Sequence, residues 1–155
     1  TNQTNFDDLV NTAKAAHAIS SKSGIDGMIK GQVIDVLELS KSKDDIIEMY
    51  IGKTCGLIMA ATEAGAYLAN QSSHVVKDMS DLGKYIGLAF QLQDDLLDKD
   101  EDESINKITY ITLSSVEETK AKIKEYSDLA VEILNKYQAN EFLIQLVNQL
   151  INREF

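Results

Sequence analysis

Along most of this chain, apolar residues recur every three to four positions, the period of a helix buried on one side. The first such segment covers residues 5–22, with Asn5 as candidate N-cap ahead of Phe6, Leu9, Val10, Ala13 and Ala16, and Ser23-Gly24 closes it. A second runs from about Asp26 to Ser40, apolar at Met28, Ile29, Val33, Ile34, Val36 and Leu37. After the polar link 41–43, Ser42 or Asp44 caps a long helical segment ending near Ala69. Residues 70–73 form a polar turn, and the next helix runs from His74 or Asp78 to Lys99. Residues 98–103 read as an acidic loop, and 107–113 as a short element whose β-branched run at 108–112 is the only strand-like hint. Ser115-x-x-Glu118 is a capping box that opens a helix to about Tyr137, with a last helix from about Asn140 to Arg153. The pattern predicts an all-α fold and a single domain over residues 1–155.

One segment stands apart, Gly87 to Asp98. On a helical wheel Gly87, Gln91, Asp94, Asp95 and Asp98 share one stripe, while Tyr85, Leu88, Leu92 and Leu96 flank it on one side and Ile86, Phe90 and Leu97 on the other. A helix apolar over most of its circumference is a buried one, so the acidic stripe is expected to face a cavity. Unpaired carboxylates inside a protein are costly, and hard oxygen donors suit divalent cations such as Mg²⁺. The competing reading is a solvated acidic face, the commoner fate of an Asp pair.

Composition narrows the partners. A net charge of −10 excludes the basic footprint that nucleic acids or an anionic membrane surface require. An acidic chain that handles an anionic substrate needs metal ions or local lysines. The absence of proline fits long helices. The single Cys55 forms no internal disulfide and reads as a small buried hydrophobe, and no apolar run is long enough to span a membrane. Together these lead us to expect a cytoplasmic protein. Gln32 and Asp35, three apart, share a helix face, and Lys53-Thr54 stand just before an apolar run. Lys53 either snorkels to the surface or holds an anion inside. His17 and His74 read as surface residues. Asp98, Asp100 and Asp102 alternate as in a calcium loop, but Glu103 replaces the glycine of the turn and Thr109 the bidentate glutamate, so that reading is rejected.

These polar residues converge on a family. Gly87-x-x-Phe90-Gln91-x-x-Asp94-Asp95-x-x-Asp98 resembles the second aspartate-rich motif of the trans-isoprenyl diphosphate synthases, the farnesyl and geranylgeranyl diphosphate synthase family. Gly27-Met28-x-x-Gly31-Gln32-x-x-Asp35, Tyr50-x-x-Lys53-Thr54 and Lys107-x-Thr109-Tyr110 resemble its other segments in the same order, and Leu150-x-Asn152-Arg153 is similar to its basic ending, with Phe155 in place of a usual lysine. The resemblance implies the C-terminal half of an isoprenoid-synthase-type bundle of antiparallel helices around a central cavity. It implies a prenyltransferase that ionises an allylic diphosphate (dimethylallyl, geranyl or farnesyl) and condenses it with isopentenyl diphosphate, releasing diphosphate. By the same resemblance Asp94 and Asp98 bind Mg²⁺, with Mn²⁺ a possible substitute. Lys53 and Lys107 neutralise diphosphate oxygens, and Thr54 and Gln91 turn their oxygens toward the allylic cation. Gln32, Asp35, Phe90 and Asp95 support this cluster, Asp95 through water or a neighbouring lysine. The family commonly forms homodimers, which the small residues from Gly56 to Ala69 permit.

The chain also departs from the family. Neither Asp7-Asp8 nor Asp44-Asp45 completes the first aspartate-rich motif, and the segment that binds isopentenyl diphosphate is absent, so the N-terminal half is expected to lie outside this sequence. The loop between Asp98 and Lys107 is shorter than usual, and Lys30 stands where glycine is common; it is expected to point outward. Two other readings stay open: a non-catalytic partner subunit of a prenyl diphosphate synthase, and another class I terpene enzyme.

Overall fold

The computed structural model describes the backbone of residues 2–151 and the side chains of residues 6–150 other than residue 103. It is helical throughout its ordered elements, with no strand among the described residues. The elements are α1 (Asn2–Ser23), α2 (Lys30–Val36), α3 (Lys43–Tyr50), α4 (Gly56–Leu68), α5 (Ser73–Leu97), α6 (Lys99–Ser104), α7 (Val116–Leu134) and α8 (Glu141–Ile151). Two π-helical turns, Ile25–Ile29 and Ile51–Cys55, and a 3₁₀ turn, Ile111–Leu113, join them.

Short polar side chains set the starts. Ser42 and Asp45 form a complete capping box on α3, and Ser72 accepts a hydrogen bond from the Val75 amide at the head of α5. At α7 half of the expected box forms: Ser115 accepts from the Glu118 amide, but the Glu118 carboxylate pairs with Lys43 at 2.6 Å instead of turning back. The long segment expected from residue 42 to 69 is present as α3 and α4 joined through the Ile51–Cys55 π turn.

Neighbouring long helices run antiparallel. α4 lies between α1 and α5. Lys22 near the end of α1 pairs with Glu63 of α4 at 2.9 Å, while Asn11 in the middle of α1 bonds to Asn70 beyond the end of α4. α5 and α7 are matched by the Tyr85–Tyr126 ring stack and by Asp78, which accepts from Lys136 at 3.1 Å and Tyr137 at 2.7 Å. The small residues Gly56, Ala60 and Ala64 are buried within the chain, where they allow close packing of α4 on its neighbours. Among the described residues the core has two parts. One gathers Ile46, Met49, Tyr50, Cys55, Leu88, Leu92, Tyr110 and Ile123; the other gathers Leu82, Ala130, Ile133, Leu134 and Val147 beneath α8.

Two expectations are corrected. The second helix does not run from Asp26 to Ser40: it begins as a π turn kinked at Gly27 (φ −114°, ψ −114°) and stops at Val36, because Glu38 turns the backbone left-handed (φ 51°). The stretch read as an acidic loop forms α6 from Lys99, its acidic residues Asp100, Glu101 and Asp102 in the first turn where the helix dipole favours them. The β-branched run at 108–112, the one strand-like hint, forms no strand, in keeping with the all-α expectation, and its end enters the 3₁₀ turn Ile111–Leu113. Asn152, Arg153 and Phe155 lie outside the described residues.

Candidate active site

The site begins with two glycines. A Cβ on Gly31 would lie 2.2 Å from the Lys53 amide nitrogen and 2.8 Å from the Gly52 carbonyl carbon, so α2 rests backbone to backbone on the π turn that follows α3. This contact brings Gln32 and Asp35 beside Lys53 and Thr54. The π turn admits an extra residue per turn and shifts the side-chain phase between α3 and α4, a device common at functional sites. Lys53 Nζ bonds to Asp35 Oδ2 at 2.5 Å, so the half-buried lysine is paired rather than snorkelling. Gln32, Lys53 and Thr54 line one side of an open groove of about 570 Å³ whose other walls are Met28, Ile29, Val33, Leu57 and Ile58.

Across from the π turn stands α5. Thr54 Oγ1 donates to Gln91 Oε1 at 2.8 Å, uniting two residues 37 positions apart. Among the described residues the acidic stripe does not share one environment, against the expectation of a single cavity. Gly87 is packed under Cys55, where an added Cβ would meet Sγ at 2.7 Å; Gln91 and Asp94 are half-buried; and Asp98, capping α5, is exposed. Asp95 is 3% exposed because α3 and the 110–113 turn cover its edge of the stripe. Its Oδ2 accepts from the Tyr50 hydroxyl at 2.6 Å and from the Tyr110 amide at 3.2 Å, where a lysine or water had been the expectation. Burial pushes the Asp95 carboxyl up to about 6 against these bonds, and burial followed by the Asp95 charge drives the Tyr50 phenol further above its usual range.

Lys107 returns to the same end of the bundle. Its Nζ lies 2.9 Å from Asp102 Oδ1, and its amide donates to the Asp102 carbonyl. Partial burial works to lower the ammonium, but the bond and charge of Asp102 outweigh it and raise it, so Lys107 stays cationic. Lys107 and Asp35 line one cleft of about 260 Å³. Phe90 is half-buried on α5. Lys30 points outward and pairs with Glu48. Cys55 is fully buried and its thiol is pushed up to about 12 by desolvation, which fits an inert core residue. His17 and His74 are exposed.

The structure therefore gathers Gln32, Asp35, Lys53, Thr54, Gln91, Asp95 and Lys107 through direct bonds or a shared wall, and leaves Asp94 and Asp98 at the C-terminal end of α5. Sequence reasoning missed Tyr50 and Asp102 as partners. Tyr50 stood in a quoted motif, but no local signal shows a hydroxyl reaching a carboxylate 45 residues on. Asp102 looked like one more residue of an acidic run. Among the described residues no group of three acidic, histidine or cysteine side chains could hold a metal by itself. Asp94 and Asp98, one helical turn apart, still fit Mg²⁺, which takes one or two carboxylates and fills its other positions with phosphate and water.

The comparisons agree with this architecture. The short chain isoprenyl diphosphate synthase of Methanothermobacter thermautotrophicus is 31% identical over 147 residues, covering 76% of this chain and 45% of the relative. The farnesyl diphosphate synthase of Buchnera aphidicola is 33% identical over 150 residues, covering 88% of this chain and 50% of the relative. The crystal structure of an FPP/GFPP synthase from Zymomonas mobilis superposes with a TM-score of 0.81 at 26% identity, over 89% of this chain and 50% of that one. The chain thus spans about half the length of the curated relatives it matches. The sequence profile of polyprenyl synthetase matches residues 6–149. The chain belongs to the polyprenyl synthetase family.

Proposed function

We propose that this chain supplies one half of a prenyltransferase site that condenses an allylic diphosphate with isopentenyl diphosphate, with loss of diphosphate and a proton. The observation that carries the reading is the Thr54–Gln91 bond, set beside Lys53 at an apolar groove. Cleaving an allylic carbon–oxygen bond leaves a multiply charged diphosphate and a carbocation, so the two ends of the site need opposite chemistry. Lys53 and Lys107 offer their ammonium groups to diphosphate oxygens, which requires Lys53 to exchange Asp35 and Lys107 to exchange Asp102. Thr54 and Gln91 present oxygen dipoles to the cation. Met28, Ile29, Val33, Leu57 and Ile58 supply apolar surface for the hydrocarbon and exclude the water that would capture the cation. Asp94 and Asp98 would hold Mg²⁺, which when bound neutralises charge on the departing diphosphate.

The second reading is a non-catalytic partner subunit of a prenyl diphosphate synthase. Against it stand the Thr54–Gln91 bond and the Lys53–Asp35 pair beside it, which a purely structural partner does not need. The deciding experiment measures product from Mg²⁺, geranyl diphosphate and isopentenyl diphosphate, with this chain alone and with the protein extended to the length of its relatives. The chain alone is expected to show little turnover and the extended protein normal turnover. In the extended protein Asp94→Ala should lower kcat by roughly 10²-fold or more while circular dichroism stays unchanged. Ordinary turnover by the chain alone overturns the half-site assignment, and unchanged kcat removes Asp94 from metal binding.

A further inference from the structure

Asp95 neighbours a candidate metal ligand in sequence, yet its geometry is that of a brace. The carboxylate is buried, and two donors converge on the same Oδ2: the Tyr50 hydroxyl at 2.6 Å and the Tyr110 amide at 3.2 Å. The first is a short, charge-assisted bond of the kind formed between a hydroxyl and a carboxylate. Tyr50 ends α3, directly before the π turn that carries Lys53 and Thr54. Tyr110 leads into the 3₁₀ turn shortly after Lys107. One carboxylate thus ties together the three segments that deliver the site's cations and dipoles.

Gln91 stands one helical turn before Asp95 on α5, within side-chain reach of it. Its Oε1 accepts from Thr54, so the amide nitrogen is directed the other way. A free glutamine amide can rotate by half a turn at little cost, exchanging its oxygen for its nitrogen. At this site such a rotation would replace an acceptor with a donor. Burial raises the Asp95 carboxyl, while the Tyr50 hydroxyl, the Tyr110 amide and the Gln91 side chain each work to hold its charge.

We propose that Tyr50 and Asp95 are positioning residues whose hydrogen bond, tied off by the Tyr110 amide, fixes the rotation of the Gln91 amide and keeps its oxygen on Thr54 at the groove. What Gln91 then does for a substrate rests on the prenyl-transfer reading; how it is held does not. Tyr50 itself touches no reacting atom in this account. Its contribution is to leave Gln91 a single orientation.

The test uses the 155-residue chain, labelled with ¹⁵N, and reads the side-chain amide signals of Gln91, identified by their loss in Gln91→Glu. Tyr50→Phe removes the bracing hydroxyl and keeps the ring. Tyr137→Phe is the control, because it removes a comparable bond to a buried carboxylate, Asp78, at 2.7 Å near the other end of α5. In Tyr50→Phe the Gln91 signals should shift and exchange hydrogen roughly tenfold faster, while in Tyr137→Phe both stay in place. Asp95→Asn is the second variant, used also where Tyr50→Phe does not fold, and it should move the same signals. Unmoved Gln91 signals in the folded variant, or equal movement in Tyr137→Phe, overturn the proposal. In the extended protein Tyr50→Phe should lower kcat while KM for both diphosphates stays within about twofold. Wild-type protein with no turnover would sink the prenyl-transfer reading and leave the amide result standing.

Discussion

At the scale of single residues, Gly31 shows how much a missing side chain can specify. Its Cβ position is already occupied by the main chain of Gly52 and Lys53, which has no rotamer to change. Gly31→Ala is therefore expected to destabilise the protein by about 1–3 kcal/mol, the range for overpacking, and to loosen Lys53 and Thr54 as α2 moves off. Urea unfolding monitored by circular dichroism checks this, and Gly65→Ala, where an added Cβ meets nothing within 4 Å, is the control expected to lose no stability. Gln91, Asp94 and Asp98 could be proposed as candidates from the sequence because helical spacing makes them neighbours on α5. Lys53 and Thr54 were legible through family resemblance. The partners that span the fold were not. Tyr50 and Asp95 meet across 45 residues, and Asp35 and Lys53 across 18, distances over which no periodicity reports contact. The stripe itself misled at Asp95, because a wheel counts residues around one helix and takes no account of which neighbour covers each edge.

At the scale of elements, apolar periodicity located the helices well and their ends less well. α5 was expected to end at Lys99 and ends at Leu97, and the capping serines Ser42 and Ser115 stand where the sequence put them. The π turn at Ile51–Cys55 was invisible, since one extra residue in a turn changes the phase of a pattern without breaking it. Backbone turns without glycine were also missed. Ala139, in the link between α7 and α8, adopts φ 54°, a conformation that an L side chain disfavours. Ala139→Gly should stabilise the protein by about 0.5–1 kcal/mol, the relief of that strain less the entropy glycine loses on folding, and so raise the melting temperature by a few degrees. A lower melting temperature would show that the Ala139 methyl contributes packing beyond its backbone strain.

For the molecule as a whole, the helical class followed from the absence of proline and from a pattern with the helix period almost everywhere. How the helices order themselves did not, because amphipathic stripes say that a face is buried and not against what. The α5–α7 pairing is fastened at one end by Asp78, whose carboxyl is held below the usual range by the Tyr137 hydroxyl and then by Lys136, with burial working against them. A carboxylate whose pKa is depressed on folding contributes stability above its unfolded pKa of about 3.9, and that contribution is lost as pH falls through the lower folded value. Wild type should therefore exceed Asp78→Asn in melting temperature at pH 7, and the gap should close progressively below about pH 4. A gap independent of pH would assign the effect to packing. No helix among the described residues is long and apolar enough to cross a membrane.

Backbone resting on backbone at Gly31 and Gly52 leaves no side-chain torsion between them to absorb displacement. α2 and the π turn after α3 therefore travel as one plate, carrying Gln32, Asp35, Lys53 and Thr54 together. A rearrangement that parts Lys53 from Asp35 has to come from the ammonium stem swinging across a stationary floor, whereas motion of the floor itself would hinge at residues 37–42, where Glu38 already holds a left-handed bend. An exchange of partners by Lys53 would then need only rotamer changes of its own stem, without movement of the helices.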